Sequence, residues 1–194
     1  MQLLRREKYL SKIRGFYHAT DLIKVITGVR RCGKSSLLQT IALELQEQGV
    51  AKEAIIFIDL DRRGFRNVKT QDSLEEIIEL ASSYKGTKYL FIDEIQNVTA
   101  FEELINGFRT DGDYSIFITG SNSYLLSGEL ATKLTGRYIE TELFTLTFEE
   151  YVQMKQLYKK PINPDKTAEL DEYILNGGFR EQCSLIAPQT SVCM

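Results

Sequence analysis

The chain has 194 residues, a formal net charge of −3 and a 43% hydrophobic fraction, which is typical of a globular protein and gives no global argument for nucleic-acid or membrane binding. Its three cysteines, Cys32, Cys183 and Cys193, have neither CxxC nor Cys/His spacing, so neither a disulfide framework nor a zinc site is expected. No apolar run approaches the ~20 residues of a membrane span and the N-terminus is charged, so we expect a cytoplasmic protein without a membrane partner.

The first predicted element is an amphipathic helix near the N-terminus. Its apolar residues share one face, and these are Tyr9, Ile13, Phe16 and Tyr17. Basic residues of the 5–14 stretch lie elsewhere on the helix. Two interpretations stay open: a solvated helix, or a segment that packs beside a nucleotide base or contacts an acidic partner.

A strand, a glycine loop and a helix follow in that order. Residues 21–27 form a short β-branched run that predicts a buried strand, and the apolar residues of 36–45 recur at helical spacing. Between them, residues 28–36 read Gly, four residues, Gly-Lys-Ser, the pattern of a phosphate-binding loop. This context favours a nucleotide-phosphate site over an ordinary helix-capping turn.

The loop contains the residue types that hold a magnesium triphosphate. Its two glycines let the backbone N–H groups turn inward, Lys34 supplies a charge for the β- and γ-phosphates, and the Ser35 hydroxyl can complete a Mg²⁺ shell. The positive end of the following helix adds to the attraction. The predicted nucleotide-binding residues are Gly28, Arg30, Arg31, Cys32, Gly33, Lys34, Ser35 and Ser36.

A pair of carboxylates is the second informative feature. The predicted strand at 89–94 ends in Asp93 and Glu94, at the edge where an open α/β sheet binds its ligand. The pair follows Lys34 by about 60 residues, with another predicted strand (54–59) and a helix between, which is a Walker B arrangement. Asp93 is predicted to hold Mg²⁺, directly or through water, and Glu94 to orient and polarise the attacking water.

The remaining elements are predicted from spacing and capping residues. Further strands are expected at 114–120 and 138–143, and a short helix and turn at 129–137. Pro161 and Pro164 predict a linker before a last helical run at 168–175, so domains 1–157 and 158–194 are expected. Three helices are predicted to begin at capping boxes, formed by Asp72 with Glu75, Thr99 with Glu102, and Thr147 with Glu150.

Small polar residues follow the fourth predicted strand, namely Ser121, Asn122 and Ser123. They are equally consistent with a group that senses the γ-phosphate or positions the water and with a turn that caps the next helix.

Over about residues 20–151 the chain resembles a prokaryotic AAA+ type P-loop ATPase. The likeness rests on the phosphate loop, the Asp93-Glu94 strand, the segment Thr119-Gly120-Ser121, the Gly136-Arg137 pair, and Leu146-Thr147-Phe148-Glu149-Glu150-Tyr151. It implies a three-layer α/β fold with five parallel strands in the order 5-1-4-3-2 and a small C-terminal helical appendage.

The resemblance also implies roles for residues beyond the loop. Ser121 or Asn122 takes the sensor role, and Arg137 is a candidate arginine finger. If Arg137 acts in trans, hydrolysis requires a homo-oligomer or a partner protein. The predicted catalytic residues are therefore Lys34, Glu94, Ser121, Asn122 and Arg137, and the predicted metal ligands are Ser35 and Asp93.

Members of this group usually continue into a helical or winged-helix region and a nuclease-like domain. Here Gly177-Gly178-Phe179 matches the start of a Gly-Gly-Phe-Pro motif, with Arg180 in place of the proline. We therefore expect a truncated or frameshifted member of the group.

The leading functional hypothesis is Mg²⁺-dependent ATP binding and hydrolysis, coupled to the region after Pro161 or to a partner. A nucleotide switch or scaffold with negligible turnover is the main alternative, and a small-molecule kinase is a third, although such enzymes seldom need a carboxylate at Glu94. GTP is not expected because no Asn-Lys-x-Asp signature is present. Nucleic-acid binding through residues 5–14 or 62–69 is a weaker hypothesis, which predicts a steep salt dependence.

Overall fold

The computed structural model describes residues 3–121, 134 and 136–179, and its centre is one parallel sheet. The strands are β1 (Ile23–Gly28), β2 (Ile55–Asp59), β3 (Lys88–Asp93), β4 (Tyr114–Thr119) and β5 (Tyr138–Leu143). They lie in the order β2-β3-β4-β1-β5, with parallel pairing throughout. This confirms the order that the family resemblance implied.

Helices cover both faces of the sheet and give three layers. On one face lie α1 (Glu7–Ile13) and α2 (Lys34–Glu47), and on the other lie α3 (Gln71–Ala81) and α4 (Phe101–Asp111). After β5, α5 (Phe148–Leu157) and α6 (Lys166–Asn176) form a small C-terminal unit with its own apolar cluster. Within the described residues, no helix has the length and apolar character that crossing a bilayer requires.

The alternation of side chains along the central strands explains why both faces are covered. Ile116 and Ile118 of β4 join the cluster beneath α3 and α4, whereas Phe117 between them joins the cluster beneath α1 and α2. On this second face Phe117 stacks on Phe91 with 4.6 Å between ring centroids. The strands that position the site are therefore buried on both sides, as parallel sheets require.

The predicted start of α3 is wrong. The N-cap is Thr70, whose side chain accepts from the Ser73 N–H group, and Asp72 lies inside the first turn. The residue spacing of a capping box fits several registers of this segment. Burial of Val68, just before the cap, is a non-local constraint that favours the observed register.

The predicted start of α4 is also wrong, whereas that of α5 is confirmed. α4 begins after Ala100, which has a φ of 55° and makes no side-chain cap. The Thr99 N–H group instead donates to the Lys69 carbonyl at 2.9 Å, a tertiary contact that no local pattern encodes. At α5, Thr147 and Glu150 form the expected reciprocal capping box.

The segment predicted as a linker connects two packed helices. Lys155 of α5 donates to Glu169 of α6 at 2.5 Å, and each of these two side chains is 2% exposed. The Leu146 N–H group donates to the Gly178 carbonyl at 2.8 Å, which ties the end of the described chain to the start of α5. The boundary between 1–157 and 158–194 stays a prediction.

Candidate active site at the carboxyl edge of the sheet

Three chain segments meet at the carboxyl edge of the sheet because β3, β4 and β1 are neighbours. They are the loop between β1 and α2, the Asp93-Glu94 pair at the end of β3, and Thr119 at the end of β4. Parallel strands place all of their carboxyl ends on one edge, so residues far apart in sequence gather there. The predicted convergence of loop and acidic pair is what the structure contains.

The loop after β1 needs glycine at its first position. Gly28 has a φ of 148°, and an added Cβ would lie 2.3 Å from the Leu143 carbonyl oxygen and 2.8 Å from Cys32 Sγ. A side chain there would collide with β5 and with the loop itself. Gly33 has a φ of 107° with open space around it, so its requirement is conformational.

The other loop residues divide into an exposed rim and a buried base. Arg30 and Arg31 are exposed, and Arg31 has a left-handed φ of 69°. Cys32 is buried, which raises the pKa of its thiol. Ser36 lies partly buried on the first turn of α2, which begins at Lys34, and the preceding residue Gly33 provides no side-chain cap. The positive end of α2 is therefore available to an anion.

Lys34 is folded back onto the loop. Its Nζ atom donates to the Gly28 carbonyl at 3.1 Å and lies 3.6 Å from Glu94 Oε1. The side chain is 3% exposed, so its charge is balanced within the site. A phosphate that binds Lys34 has to compete with the Glu94 carboxylate.

Asp93 is the buried acid of the pair. It is 2% exposed, and burial raises the pKa of its carboxyl group, opposed by hydrogen bonds from Ser35 and Thr119 that lower it. Ser35 and Asp93 thus lie side by side, as the predicted metal site requires. A hydroxyl and a carboxylate are hard oxygen ligands that suit Mg²⁺, which takes few protein ligands and keeps waters and phosphates. Among the described residues no group of three or more His, Cys, Asp or Glu is placed to hold a metal ion.

Glu94 is held in a strained backbone conformation. Its φ and ψ are 57° and 50°, and its N–H group donates to Thr119 Oγ1 at 2.9 Å. Its Oε2 atom accepts from Gln96 Nε2 at 2.5 Å, and its Oε1 atom faces Lys34. Left-handed conformations at non-glycine residues persist only where the surroundings enforce them, often at functional sites.

Thr119 is a site residue to which we assigned no role from the sequence. Its hydroxyl donates to Asp93 and accepts from the Glu94 backbone, so one group orients both acids. A threonine as the last residue of a strand, next to a strand that ends in Asp-Glu, was the available signal. Ser121 directly follows Gly120 and is partly buried, while Asn122 lies outside the described residues. The sensor role of either residue stays a prediction.

Arg137 lies away from this cluster. The Ile23 N–H group donates to the Arg137 carbonyl at 3.1 Å, which fixes Arg137 beside the first residue of β1, whereas the loop follows its last residue, Gly28. Five residue steps of a strand span ~17 Å. Arg137 is exposed at the amino edge and lines an open depression together with Arg109. Within one chain the structure does not bring Arg137 to Lys34.

The N-terminal segment contacts the loop, and the interpretation as a solvated helix is wrong for Arg6. This guanidinium is 6% exposed and donates to the Cys32 carbonyl at 3.2 Å, to the Phe144 carbonyl at 2.9 Å and to Glu150 at 2.7 Å. It therefore joins the loop after β1 to the chain that enters α5. An apolar cleft beside the loop is lined by Leu4, Leu37, Leu146 and Met154, among others.

Two further arginines of this segment bind carboxylates of the same chain. Arg5 lies 2.5 Å from Glu47, and Arg14 lies 2.7 Å from both Glu7 and Glu44. These ion pairs reduce the positive charge that residues 5–14 can offer to a nucleic acid.

Comparison with known proteins identifies a family and two relatives that are longer than this chain. A family model described as an AAA domain matches residues 20–152. An uncharacterized protein of Haemophilus influenzae is 40% identical over 178 residues, and one of Methanocaldococcus jannaschii is 36% identical over 186 residues. These matches cover 91% and 93% of this chain but 44% and 41% of the relatives, so the chain spans less than half of their length.

Solved structures share the fold at low identity. DnaA from Aquifex aeolicus, bound to AMPPCP, is 16% identical with a TM-score of 0.63, over 95% of this chain and 61% of that one. The ORC1 protein of Aeropyrum pernix, in complex with DNA, is 13% identical with a TM-score of 0.63, over 94% of this chain and 58% of that one. These likenesses show the fold alone.

Proposed function

The chain belongs to the AAA domain family, and on this premise we propose that it binds ATP with Mg²⁺ at the loop after β1 and hydrolyses it. One observation carries the proposal. Lys34, Ser35, Asp93 and Glu94, which the sequence separates into two groups about 60 residues apart, meet at one edge of the sheet.

Each of these residues has a role that its contacts support. Lys34 moves from the Gly28 carbonyl and Glu94 to the β- and γ-phosphates, where its charge offsets theirs. Ser35 and Asp93 would hold Mg²⁺, which would supply positive charge to offset that of the phosphates. Glu94 orients the attacking water and accepts its proton, and the stabilisation comes from positioned charges in a partly buried site.

The same proposal covers where the nucleotide base lies and how the nucleotide state affects the C-terminal unit. The base would lie against the apolar residues beside the loop, namely Leu4, Leu37, Leu146 and Met154, whose cleft of about 20 Å³ must widen to admit it. Arg6 bonds both the loop and Glu150, so a shift of the loop on phosphate binding displaces the C-terminal unit. This supports coupling of the nucleotide state to that unit or to a protein bound there.

A nucleotide switch with negligible turnover is the second candidate, and the position of Arg137 favours it for an isolated chain. An arginine near the γ-phosphate accelerates such reactions about 10³ to 10⁵-fold, and here Arg137 lies at the opposite edge of the sheet. It lies in an open depression, where a second copy or a partner protein could place its nucleotide.

Two variants and one assay test the proposal. Lys34→Ala should abolish nucleotide binding, whereas Glu94→Gln should retain binding and stop phosphate release. Single-turnover hydrolysis by the wild-type chain separates the two candidates, because bound ATP that stays intact for hours supports the switch. Hydrolysis that persists in Glu94→Gln removes Glu94 from the mechanism.

A further inference from the structure

Gln96 is the side chain that holds the free end of Glu94. Its Nε2 atom donates to Glu94 Oε2 at 2.5 Å, while Lys34 lies 3.6 Å from the other carboxylate oxygen. Nucleotide binding withdraws Lys34 from this pair. Gln96 is then the contact that keeps the carboxylate in place, because the backbone bond from Glu94 to Thr119 does not involve the side-chain oxygens.

The turn that carries Gln96 is firmly anchored. It is a single 3₁₀ turn, Ile95–Asn97, with Ile95 and the following Val98 completely buried. Asn97 Nδ2 donates to Asp61 Oδ1 at 3.0 Å, which ties the turn to the segment after β2. The backbone of Gln96 is therefore held in place, so its side chain can orient the Glu94 carboxylate.

The hydrogen bonding of Gln96 is incomplete in a way that stability does not explain. Its Oε1 atom is buried and, within the described part of the chain, has no hydrogen-bond partner. An unpaired buried acceptor is unfavourable, so a residue present only for packing would be better replaced by an apolar one. The other amide atom nevertheless makes a charge-assisted bond to the predicted catalytic carboxylate.

We propose that Gln96 is a positioning residue for hydrolysis, which fixes Glu94 Oε2 so that Oε1 turns to the attacking water once the triphosphate has taken Lys34. The inference rests on the proposed ATP hydrolysis. It assigns to Gln96 no contact with nucleotide or metal, so its effect passes through Glu94 alone.

The test compares Gln96→Met, which keeps the length of the side chain but has no donor, with Gln46→Met at the exposed end of α2. Gln96→Met should lower the single-turnover rate about 10 to 100-fold, the loss expected when a reacting group is misplaced by about 1 Å. The Kd for ATP should stay within about twofold, and the thermal midpoint should not fall, since an unpaired acceptor is removed. Gln96→Glu, which keeps the shape but donates no hydrogen bond when ionised, should lose the rate as well, and Gln46→Met should lose nothing.

A double variant separates positioning from a structural role. Glu94→Asp keeps a carboxylate but shortens its reach towards Gln96, so Glu94→Asp with Gln96→Met should be no slower than Glu94→Asp alone, because residues that act through one another are not additive. An unchanged rate in Gln96→Met overturns the inference, as does a loss of rate matched by weaker ATP binding or by a lower thermal midpoint. If the wild-type chain binds ATP but releases no phosphate in a single turnover, the proposed hydrolysis fails and this inference fails with it.

Discussion

The ion pair between Lys34 and Glu94 predicts that removing the Glu94 charge strengthens nucleotide binding. At 3.6 Å, two unit charges attract by about 5 kcal/mol at an effective dielectric constant of about 20. Desolvation of the two groups cancels much of this, and a net cost of about 1–3 kcal/mol for separating them is typical of a partly buried pair. Since nucleotide binding has to separate them, Glu94→Gln should lower the Kd about 5 to 150-fold.

ADP is the ligand that makes this prediction specific. Because ADP is not hydrolysed, tighter binding cannot come from blocked turnover. The assay is a fluorescence titration with a labelled ADP, carried out with and without Mg²⁺, and the gain should appear in both conditions because the competition is for Lys34.

Asp59→Asn is the matched control for general charge. Asp59 ends β2 beside Asp93 and is bound by Arg62 at 2.9 Å, so its removal changes the charge of the same edge without freeing Lys34. A gain in Asp59→Asn equal to that in Glu94→Gln would show that bulk charge and not the ion pair is responsible. No gain in Glu94→Gln would show that Lys34 is already available to phosphate.

Three further predictions concern stability and are measured by urea denaturation. Gly28→Ala should lower the free energy of unfolding by about 2–4 kcal/mol because the new Cβ would overlap with Leu143 and Cys32. Gly33→Ala, with open space around it, should lose only about 1–2 kcal/mol for its unfavourable φ, and equal losses in the two variants would contradict the overlap. Burial lowers the pKa of Lys24 to about 7, so between about pH 7 and 10 the unfolded chain holds a proton that the folded chain has lost. The free energy of unfolding should therefore rise over this range by up to about 1.4 kcal/mol per pH unit, and Lys24→Met should remove that slope. Arg6→Met should cost about 3–5 kcal/mol because it leaves the Glu150 charge and buried carbonyls unpaired, and a loss below about 1 kcal/mol would show that the contact is dispensable.

Local patterns were sufficient for the strands and for the glycine loop between β1 and α2. A β-branched run, a glycine turn and a helical repeat are encoded within about 25 consecutive residues, and β1, the loop and α2 follow that order. The Asp93-Glu94 pair could be placed at the site because parallel strands share one carboxyl edge. That argument needs only that β1 and β3 belong to one sheet.

Contacts between distant segments could not be predicted in this way. Nothing near Arg6 in sequence indicates that its guanidinium reaches Cys32 and Glu150, 26 and 144 residues away. Thr119 binds both acids only because β4 lies between β3 and β1, and that strand order came from the family resemblance. The N-terminus of α4 was predicted wrongly for the same reason, because a hydrogen bond between the distant residues Thr99 and Lys69 holds the chain just before the helix.

The topology of the sheet limits where Arg137 can act. Arg137 precedes β5 and its carbonyl bonds the first residue of β1, so it is at the amino edge in every conformation that preserves the sheet. It reaches a nucleotide only on another chain, and turnover per chain should therefore rise with protein concentration if Arg137 contributes. Arg137→Ala should remove that rise while leaving the Kd for ATP unchanged. A rate per chain that is constant over a hundredfold range of concentration, and equal in Arg137→Ala, would exclude Arg137 from the reaction and leave Lys34, Asp93 and Glu94 as its charged groups.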